Sequence, residues 1–420
     1  MKKRRLRIGF VSTRLAGTDG VSLETRKWSK VLTDLGHECF YFAGSSEWPE
    51  ERSYVVPEAH FHHPEVRRLS EDLFDDYQRS RETSERVHAL KILLKDHLYR
   101  FVESFYLHLL IAENVLSLPM HVPLGLALTE FIAETGTPTI GHHHDFAWER
   151  FRFKVSAASD YQMGAFPPVL PAIHHVVLNS YAARQLALRT GISATIIPNV
   201  LDFETEPPEP DDYTAQLRPA LGIGPDEHLI LQPTRVVPRK RIELAIELVR
   251  RLDLPCTLVV SHASGDEGTA YATYLRELAD LLGVRVLFAA DRFGYERGRT
   301  LDGRPVFSLA DAYLAADLVT YPSTVEGFGN AFLEAIYYRR PIVMSTYEIF
   351  RRDIRPKGFQ VIGFDQFITD ETVAKAREIL RHPERAEEMT EHNFKLGRRF
   401  YSFRVLEWHL RVVLNQMGLV

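Results

Sequence analysis

The sequence predicts an α/β protein built from two Rossmann-like domains, and three observations carry that prediction. Apolar runs of strand length alternate with runs of helical period in both halves of the chain. A proline- and acid-rich stretch, Glu204-Thr-Glu-Pro-Pro-Glu-Pro-Asp-Asp212, interrupts the alternation near the middle and cannot lie inside a sheet. The chain has 420 residues, 45% hydrophobic and 25% charged, more than one ordinary core holds. Each domain is then expected to hold roughly 200 residues.

The first half opens with Leu6-Arg-Ile-Gly-Phe-Val-Ser12, a buried-strand pattern. Gly17 and Gly20 follow, then the helical run Ser22 to Leu35 closed by Gly36, then the strand His37 to Ala43. Strand, glycine loop, helix and strand make one βαβ unit, which implies a parallel sheet with its loops gathered at the strand carboxyl ends. Residues 45–110 are more irregular and charged, with a helix expected over Lys91 to Ile111. Leu94, Leu98, Phe101 and Phe105 give that helix an apolar face. It is expected to pack on its own domain rather than on a membrane surface, because Asp96 and Glu103 break any basic face. Strands return at Thr139 to His142, His175 to Leu178 and Ala194 to Ile197.

The domain boundary is placed between Asp202 and Asp226. Beyond it come strand His228 to Gln232, helix Ile242 to Arg251, and strands Thr257 to Ser261, Val284 to Ala289 and Leu318 to Tyr321. Helix Ala331 to Tyr338 and strand Pro341 to Ser345 complete the series. A final helix, Phe403 to Leu419, places Trp408, Leu410 and Val413 on related faces and is expected to fold back. The expected limits are a first domain over 1–200, a linker over 201–227, a second domain over 228–400, and a closing helix over 401–420 that packs towards the first domain. Two doubly wound domains facing each other form a cleft, the default place for chemistry.

Composition excludes several classes. A net charge of -5 and a pI near 6.4 argue against a basic field for nucleic acid or anionic lipid, which leaves small molecules as partners. No stretch approaches the roughly 18 uncharged residues of a membrane span. Met1-Lys-Lys-Arg-Arg5 reads as a charged lead-in to the first strand rather than a signal peptide. The two cysteines, Cys39 and Cys256, fall in opposite halves, so a disulfide framework is not expected and a reducing cytoplasm fits.

Chemistry concentrates in Ala316-Asp-Leu-Val-Thr-Tyr-Pro-Ser-Thr-Val-Glu-Gly-Phe-Gly-Asn-Ala-Phe-Leu-Glu-Ala335. A strand ends near Pro322, a glycine-bearing turn follows, and a helix starts near Asn330. Gly327 and Gly329 allow the backbone, with Phe328 between them, to approach a ligand closely, and the free N–H groups of a new helix suit a phosphate. Glu326 lies on the turn and Glu334 inside the helix, so the two carboxylates can accept hydrogen bonds at opposite ends of one extended ligand.

This segment is similar to the E-x7-E motif of the retaining glycosyltransferases of family 4, which have the GT-B fold. The resemblance implies that Glu326 approaches the donor sugar and Glu334 holds the nucleotide ribose, with Gly327, Phe328, Gly329 and Asn330 lining the donor. Upstream, Pro233-Thr-Arg-Val-Val-Pro-Arg-Lys-Arg-Ile242 resembles the family's G-R-x4-K-G segment, so Arg235 and Lys240 would bind the donor diphosphate. Thr234 and Arg241 stand where glycines are usual. Cations suit a leaving group that gains negative charge.

In the first half, Gly141-His-His-His-Asp145 looks like the family's strand-end histidine followed by aspartate, so His144 would lean over the donor sugar. A zinc site is the alternative. Consecutive histidines on an extended chain point to alternating sides, which makes three in a row a poor chelate. The loop Gly17-Thr-Asp-Gly-Val-Ser22 resembles the glycine loop beside the donor phosphates and acceptor, with Gly20 as its key residue. Ile196-Ile-Pro-Asn-Val200 resembles the family's I-P-N-G, with Val200 replacing glycine and Asn199 fixing a turn.

The resemblance therefore implies that the first domain serves the acceptor and the second the nucleotide-sugar. A hexosyl group would pass from a donor of the GDP-mannose or UDP-glucose type to a hydroxyl, with retention. No apolar strand ends in Asp-x-Asp, so no metal is expected, and the nucleotide-sugar is a co-substrate rather than a resident cofactor. Trp148-Glu-Arg-Phe-Arg-Phe-Lys154 and Arg14 put cations on the acceptor side, which suggests a small sugar acid or sugar phosphate. The segment Ala112 to Gly136 resembles soluble members of compatible-solute synthesis. A sugar phosphorylase, a nucleotide-sugar epimerase and a non-catalytic nucleotide-sugar-binding subunit are the competing readings. Donor identity is expected to depend on the loops His262 to Gly268 and Phe288 to Arg292.

Overall fold

A computed structural model describes residues 5–17, 19–264 and 269–420. The charged lead-in over 1–4, Thr18 of the first glycine loop and residues 265–268 of an expected donor loop lie outside the described residues. The chain divides into two compact units, Met1–Val200 with Phe403–Val420, and Leu201–Ser402.

The first unit holds seven parallel strands: β1 (Arg7–Val11), β2 (Glu38–Ala43), β3 (Ser53–Val55), β4 (Leu109–Glu113), β5 (Thr139–His143), β6 (Ile173–Val177) and β7 (Thr195–Ile196). They lie in the order β3-β2-β1-β4-β5-β6-β7. The order reverses between β1 and β4, and at such a switch point the strand ends open a crevice for ligands. Every residue of β4 is buried, as expected for a central parallel strand covered on both faces.

Helix Arg81–Phe105 covers one face of this sheet, with Leu94, Leu98 and Phe101 fully buried against strand and helix residues such as Phe42 and Phe131. Burying side chains of this size contributes about 2 kcal/mol each. The expected helix Lys91 to Ile111 ran too far. It ends at Phe105, where Tyr106 turns the backbone to φ 48°, and Leu109–Glu113 is strand β4. An apolar run of four, Leu109 to Ala112, is too short to show its own period, so it merged with the helical pattern before it.

On the other face, helix Gly20–Asp34 packs with the closing helix Phe403–Gln416, whose Leu406, Leu410, Val413 and Leu414 join the core of Ile8, Phe10 and Trp28. Trp408 was expected on that face and is instead 61% exposed. Val200, standing where the family has glycine, is buried in the same core.

The second unit has six parallel strands, β8 (His228–Gln232), β9 (Cys256–Val260), β10 (Val286–Phe288), β14 (Leu318–Tyr321), β15 (Ile342–Ser345) and β16 (Ile362–Phe364). Their order is β10-β9-β8-β14-β15-β16, with the switch between β8 and β14. A small side sheet of β11 (Phe293–Gly294), β12 (Gly298–Arg299) and β13 (Pro305–Ser308) lies apart from it.

Residues 201–227 are not a free linker but part of this unit. Phe203 and Leu217 are buried, Asp211 pairs with Arg297 at 2.6 Å, and Thr214 donates to the buried Asp311 at 2.7 Å. Prolines and acids exclude a stretch from a sheet interior, but they do not prevent it from packing on the outside. Both cysteines are free thiols. Among the described residues, no helix is long and apolar enough to cross a membrane.

Candidate active site

In the second unit the predicted site residues gather at the carboxyl ends of β8 and β14, on the two sides of the switch point. The loop after β8 carries Arg235 and Lys240, and the loop after β14 carries Glu326. The Thr324 N–H donates to the Arg239 carbonyl at 2.9 Å and ties the two loops together. Lys240 donates to Glu326, and both side chains are about nine-tenths buried, 9% and 11% exposed. Lys240 also lies 5.1 Å from the centre of the Tyr321 ring. Arg239, which sequence reasoning passed over, lies 3.5 Å from the same Glu326 oxygen.

Burial opposes the charge on both partners; the pairing offsets it only in part at Lys240 and more than offsets it at Glu326. Burial pushes the Lys240 ammonium below its ordinary value despite Glu326. Burial would raise Glu326, but Lys240 and Arg239 outweigh it and hold the carboxyl below its ordinary value. Arg235 is exposed, and no acid among the described residues pairs with it. His262, after β9, is held below the ordinary imidazole range by burial and by the charges of Lys240 and Arg235 beside it.

The two departures from the family pattern have local explanations. Thr234 is buried and its hydroxyl accepts from the Gln232 amide at 2.7 Å, while Gln232 accepts from Thr320 at 2.7 Å. A side chain is therefore accommodated there by a buried polar network. Arg241 adopts φ 48°, the left-handed region that glycine enters without penalty, and the helix Ile242–Leu252 starts immediately after it.

Glu326-Gly-Phe-Gly329 leads into helix Asn330–Tyr337. Gly329 has φ 112°, and a Cβ there would meet the Tyr347 hydroxyl at 2.2 Å, so this position requires glycine on two grounds. The Phe328 ring is buried against Tyr401, and its carbonyl accepts from Tyr347 at 2.7 Å. What Phe328 can offer a ligand is its backbone N–H. Gly327 is exposed and Asn330 half-buried. Glu334 is half-buried one turn into the helix and accepts from the Tyr313 hydroxyl at 2.8 Å.

In the first unit, Gly20 is the first residue of its helix, and Asp19 caps that helix by accepting from the N–H groups of Val21 and Ser22 at 3.1 and 3.2 Å. Arg14 pairs with Asp19 at 2.9 Å. Arg150 contacts Asp145, and Arg152 donates to Ser70 at 2.9 Å.

His144 follows β5 and lies 3.1 Å from Glu113 Oε2 through Nε2; His142 reaches the same oxygen through Nδ1 at 2.9 Å. The histidine side chains do alternate, and His143 turns to the other face to pair with His175 at 2.8 Å. That alternation removes only one of the three. His142 and His144 share a face, and Glu113 joins them, so three ligand-type atoms lie within 4.8 Å of one another. Alternation therefore still leaves three ligand-type groups on one face, although hydrogen bonds to one carboxylate account for the same convergence. Glu113 lies two residues beyond the expected helix Lys91 to Ile111, in a stretch where the sequence pattern marks no strand end.

One relative is a mannosylglucosylglycerate synthase of Thermotoga maritima, 31% identical over an alignment covering 96% of this chain and 98% of that protein. The chain belongs to the group 1 glycosyl transferases. The family model, described as glycosyl transferases group 1, matches residues 299–396, which include the Glu326 to Glu334 segment. A mannosylglucosylglycerate synthase of Petrotoga mobilis is 31% identical over 85% of this chain and 86% of its own length.

The fold of this glycosyltransferase is GT-B. Its structural neighbours include sucrose-phosphate synthase of Thermosynechococcus elongatus, with a TM-score of 0.68, 14% identity and 99% of each chain covered. HepE of Anabaena, solved with UDP-glucose, has a TM-score of 0.66 and 13% identity, covering 98% of this chain and all of that one. At such identities the likeness concerns the fold alone.

Proposed function

We propose that this glycosyltransferase moves a hexosyl group, with retention, from a nucleoside diphosphate sugar to a hydroxyl of a small sugar acid. The observation that carries the reading is the Lys240–Glu326 pair at the β8/β14 switch point, with the exposed Arg235 on the same loop. Arg235 and Lys240 take the diphosphate and stabilise its departure. Glu326 and His144 orient the sugar, Glu334 holds the ribose, and the backbone over Gly327, Phe328, Gly329 and Asn330, together with Gly20, borders the donor. The acceptor hydroxyl attacks from the face the diphosphate leaves, and a phosphate oxygen receives its proton.

Two relatives named for mannosylglucosylglycerate, aligned over most of their length, support a donor of the GDP-mannose type, an acceptor carrying a glycerate carboxylate and a place in compatible-solute synthesis. Such an anion would compete for Arg14, Arg150 and Arg152 with their present partners Asp19, Asp145 and Ser70. The test offers GDP-mannose, UDP-glucose, ADP-glucose and UDP-N-acetylglucosamine against sugar acids, phosphosugars and neutral sugars, with the product anomer followed by NMR. Transfer from GDP-mannose to a sugar acid with retention is expected. Inversion ends the retaining mechanism, and exclusive use of neutral sugars ends the anionic acceptor. Phosphate-dependent cleavage without nucleotide would instead identify a phosphorylase.

A further inference from the structure

Glu113 is the last residue of β4, directly opposite His142 in the parallel β4–β5 register. Its side chain has no exposed surface. A carboxylate withdrawn from water costs several kcal/mol unless hydrogen bonds replace its hydration, so a buried one persists only with strong partners. Here the partners are the two imidazoles on the near face of one strand end, both on Oε2. Burial would raise this carboxyl, but the two rings hold it down to about 2. An ionised carboxylate only accepts, so both ring nitrogens facing it carry protons.

The two histidines differ in what remains to them. His142 is fully buried, stacked 4.1 Å from Trp28, and its Nε2 has no partner. It is enclosed and offers a ligand nothing. The His144 side chain is 9% exposed, and with Nε2 turned inward its Nδ1 is the ring nitrogen left for a ligand. The main chain is fixed from the same place: the His144 N–H donates to Asn114 Oδ1 at 3.1 Å. Burial pulls the His144 imidazole down, and the bond and charge of Glu113 more than offset that, leaving it above the ordinary range.

We infer that Glu113 is a positioning residue for glycosyl transfer, which fixes the His144 ring through Nε2 so that Nδ1 is presented to the donor sugar. This rests on the reading of His144 as a sugar-orienting group. Glu113 touches no substrate itself; it acts through His144, with His142 packed on Trp28 as the second brace that keeps the carboxylate in place.

The test is a double-mutant cycle on the full-length enzyme, with imidazole 15N NMR of the native protein. Glu113→Gln keeps the shape but presents one oxygen and an N–H2 group to two N–H donors. Turnover is expected to fall about tenfold or more at saturating donor, while the same change in a His144→Ala background costs nothing further. In the native enzyme, the His144 signals, assigned by difference from His144→Ala, are expected to show Nε2 protonated. Full turnover in Glu113→Gln, an equal loss in both backgrounds, or an unprotonated Nε2, as when a metal ion occupies that position, overturns the inference. The NMR reading needs no variant at Glu113, so it decides even if Glu113→Gln fails to fold. If His144→Ala alone keeps full turnover, the reading of His144 itself falls; if it is impaired while Glu113→Gln is not, only the present inference falls.

Discussion

Lys240 and Glu326 stand 86 positions apart in the sequence and meet as a nearly buried ion pair between the loops that follow β8 and β14. Two neighbouring strand ends at a switch point bring into contact the cation proposed for the diphosphate and the carboxylate proposed for the sugar. Removing either partner therefore acts on the other as well as on the proposed donor contact.

Lys240→Ala and Glu326→Ala are each expected to lower kcat/KM about a hundredfold, on the order of 3 kcal/mol. Because the partners touch, the double variant is expected to lose less than the sum of the two. Steady-state kinetics with the preferred donor checks both statements, and full turnover in either single variant contradicts the assignment.

Gly329→Ala is expected to destabilise the second unit by about 2 to 4 kcal/mol through a left-handed alanine and an overlap with the Tyr347 hydroxyl. Tyr347→Phe removes the atom in closest conflict and leaves the next at 3.2 Å, so it is expected to restore part of the loss while the backbone strain persists. Thermal unfolding of the single and double variants measures this, and no recovery in the pair would locate the cost in the backbone alone.

Glu113 gives the first unit an acid-sensitive element. Its carboxyl stands at about 2 in the folded protein against 4.5 ordinarily, so its contribution is fully present above pH 4.5 and lost as pH falls towards 2. The shift corresponds to a contribution on the order of 3 kcal/mol. The stability gap between the native protein and Glu113→Gln is therefore expected to narrow steadily over that range. Urea midpoints at a series of pH values read the gap, and a constant gap would show that Glu113 is not ionised in the folded state.

Transfer is expected to survive EDTA if, as proposed, Arg235, Lys240 and the start of helix Asn330–Tyr337 supply the positive charge for the leaving diphosphate. Activity before and after chelation, with the metal content of the purified protein, checks this. Complete loss that a divalent ion restores would move attention to Glu113, His142 and His144.

Much of this was legible before any coordinates. Strand His228–Gln232 lies where the apolar run put it, and strand Leu318–Tyr321 and the helix beginning at Asn330 follow the pattern around the two glycines. The glycine at 329 and the left-handed Arg241 both stand where a turn must reverse the backbone. Strand β4 was not legible, because four apolar residues soon after an amphipathic helix carry no period of their own. With β4 went Glu113.

The sequence by itself determined the alternation of strands and helices, the two-part chain, and the loop and helix start that carry Glu326 and Glu334. Those follow from local chemistry, from hydrophobic period, glycine φ and helix-terminal N–H groups, and local chemistry is written in neighbouring residues. Only the tertiary structure decided that Glu113 faces His142 and His144, and that Lys240 reaches Glu326. Those pairings depend on which strands become neighbours and in what register, and that is settled by packing across tens of residues rather than by any short pattern.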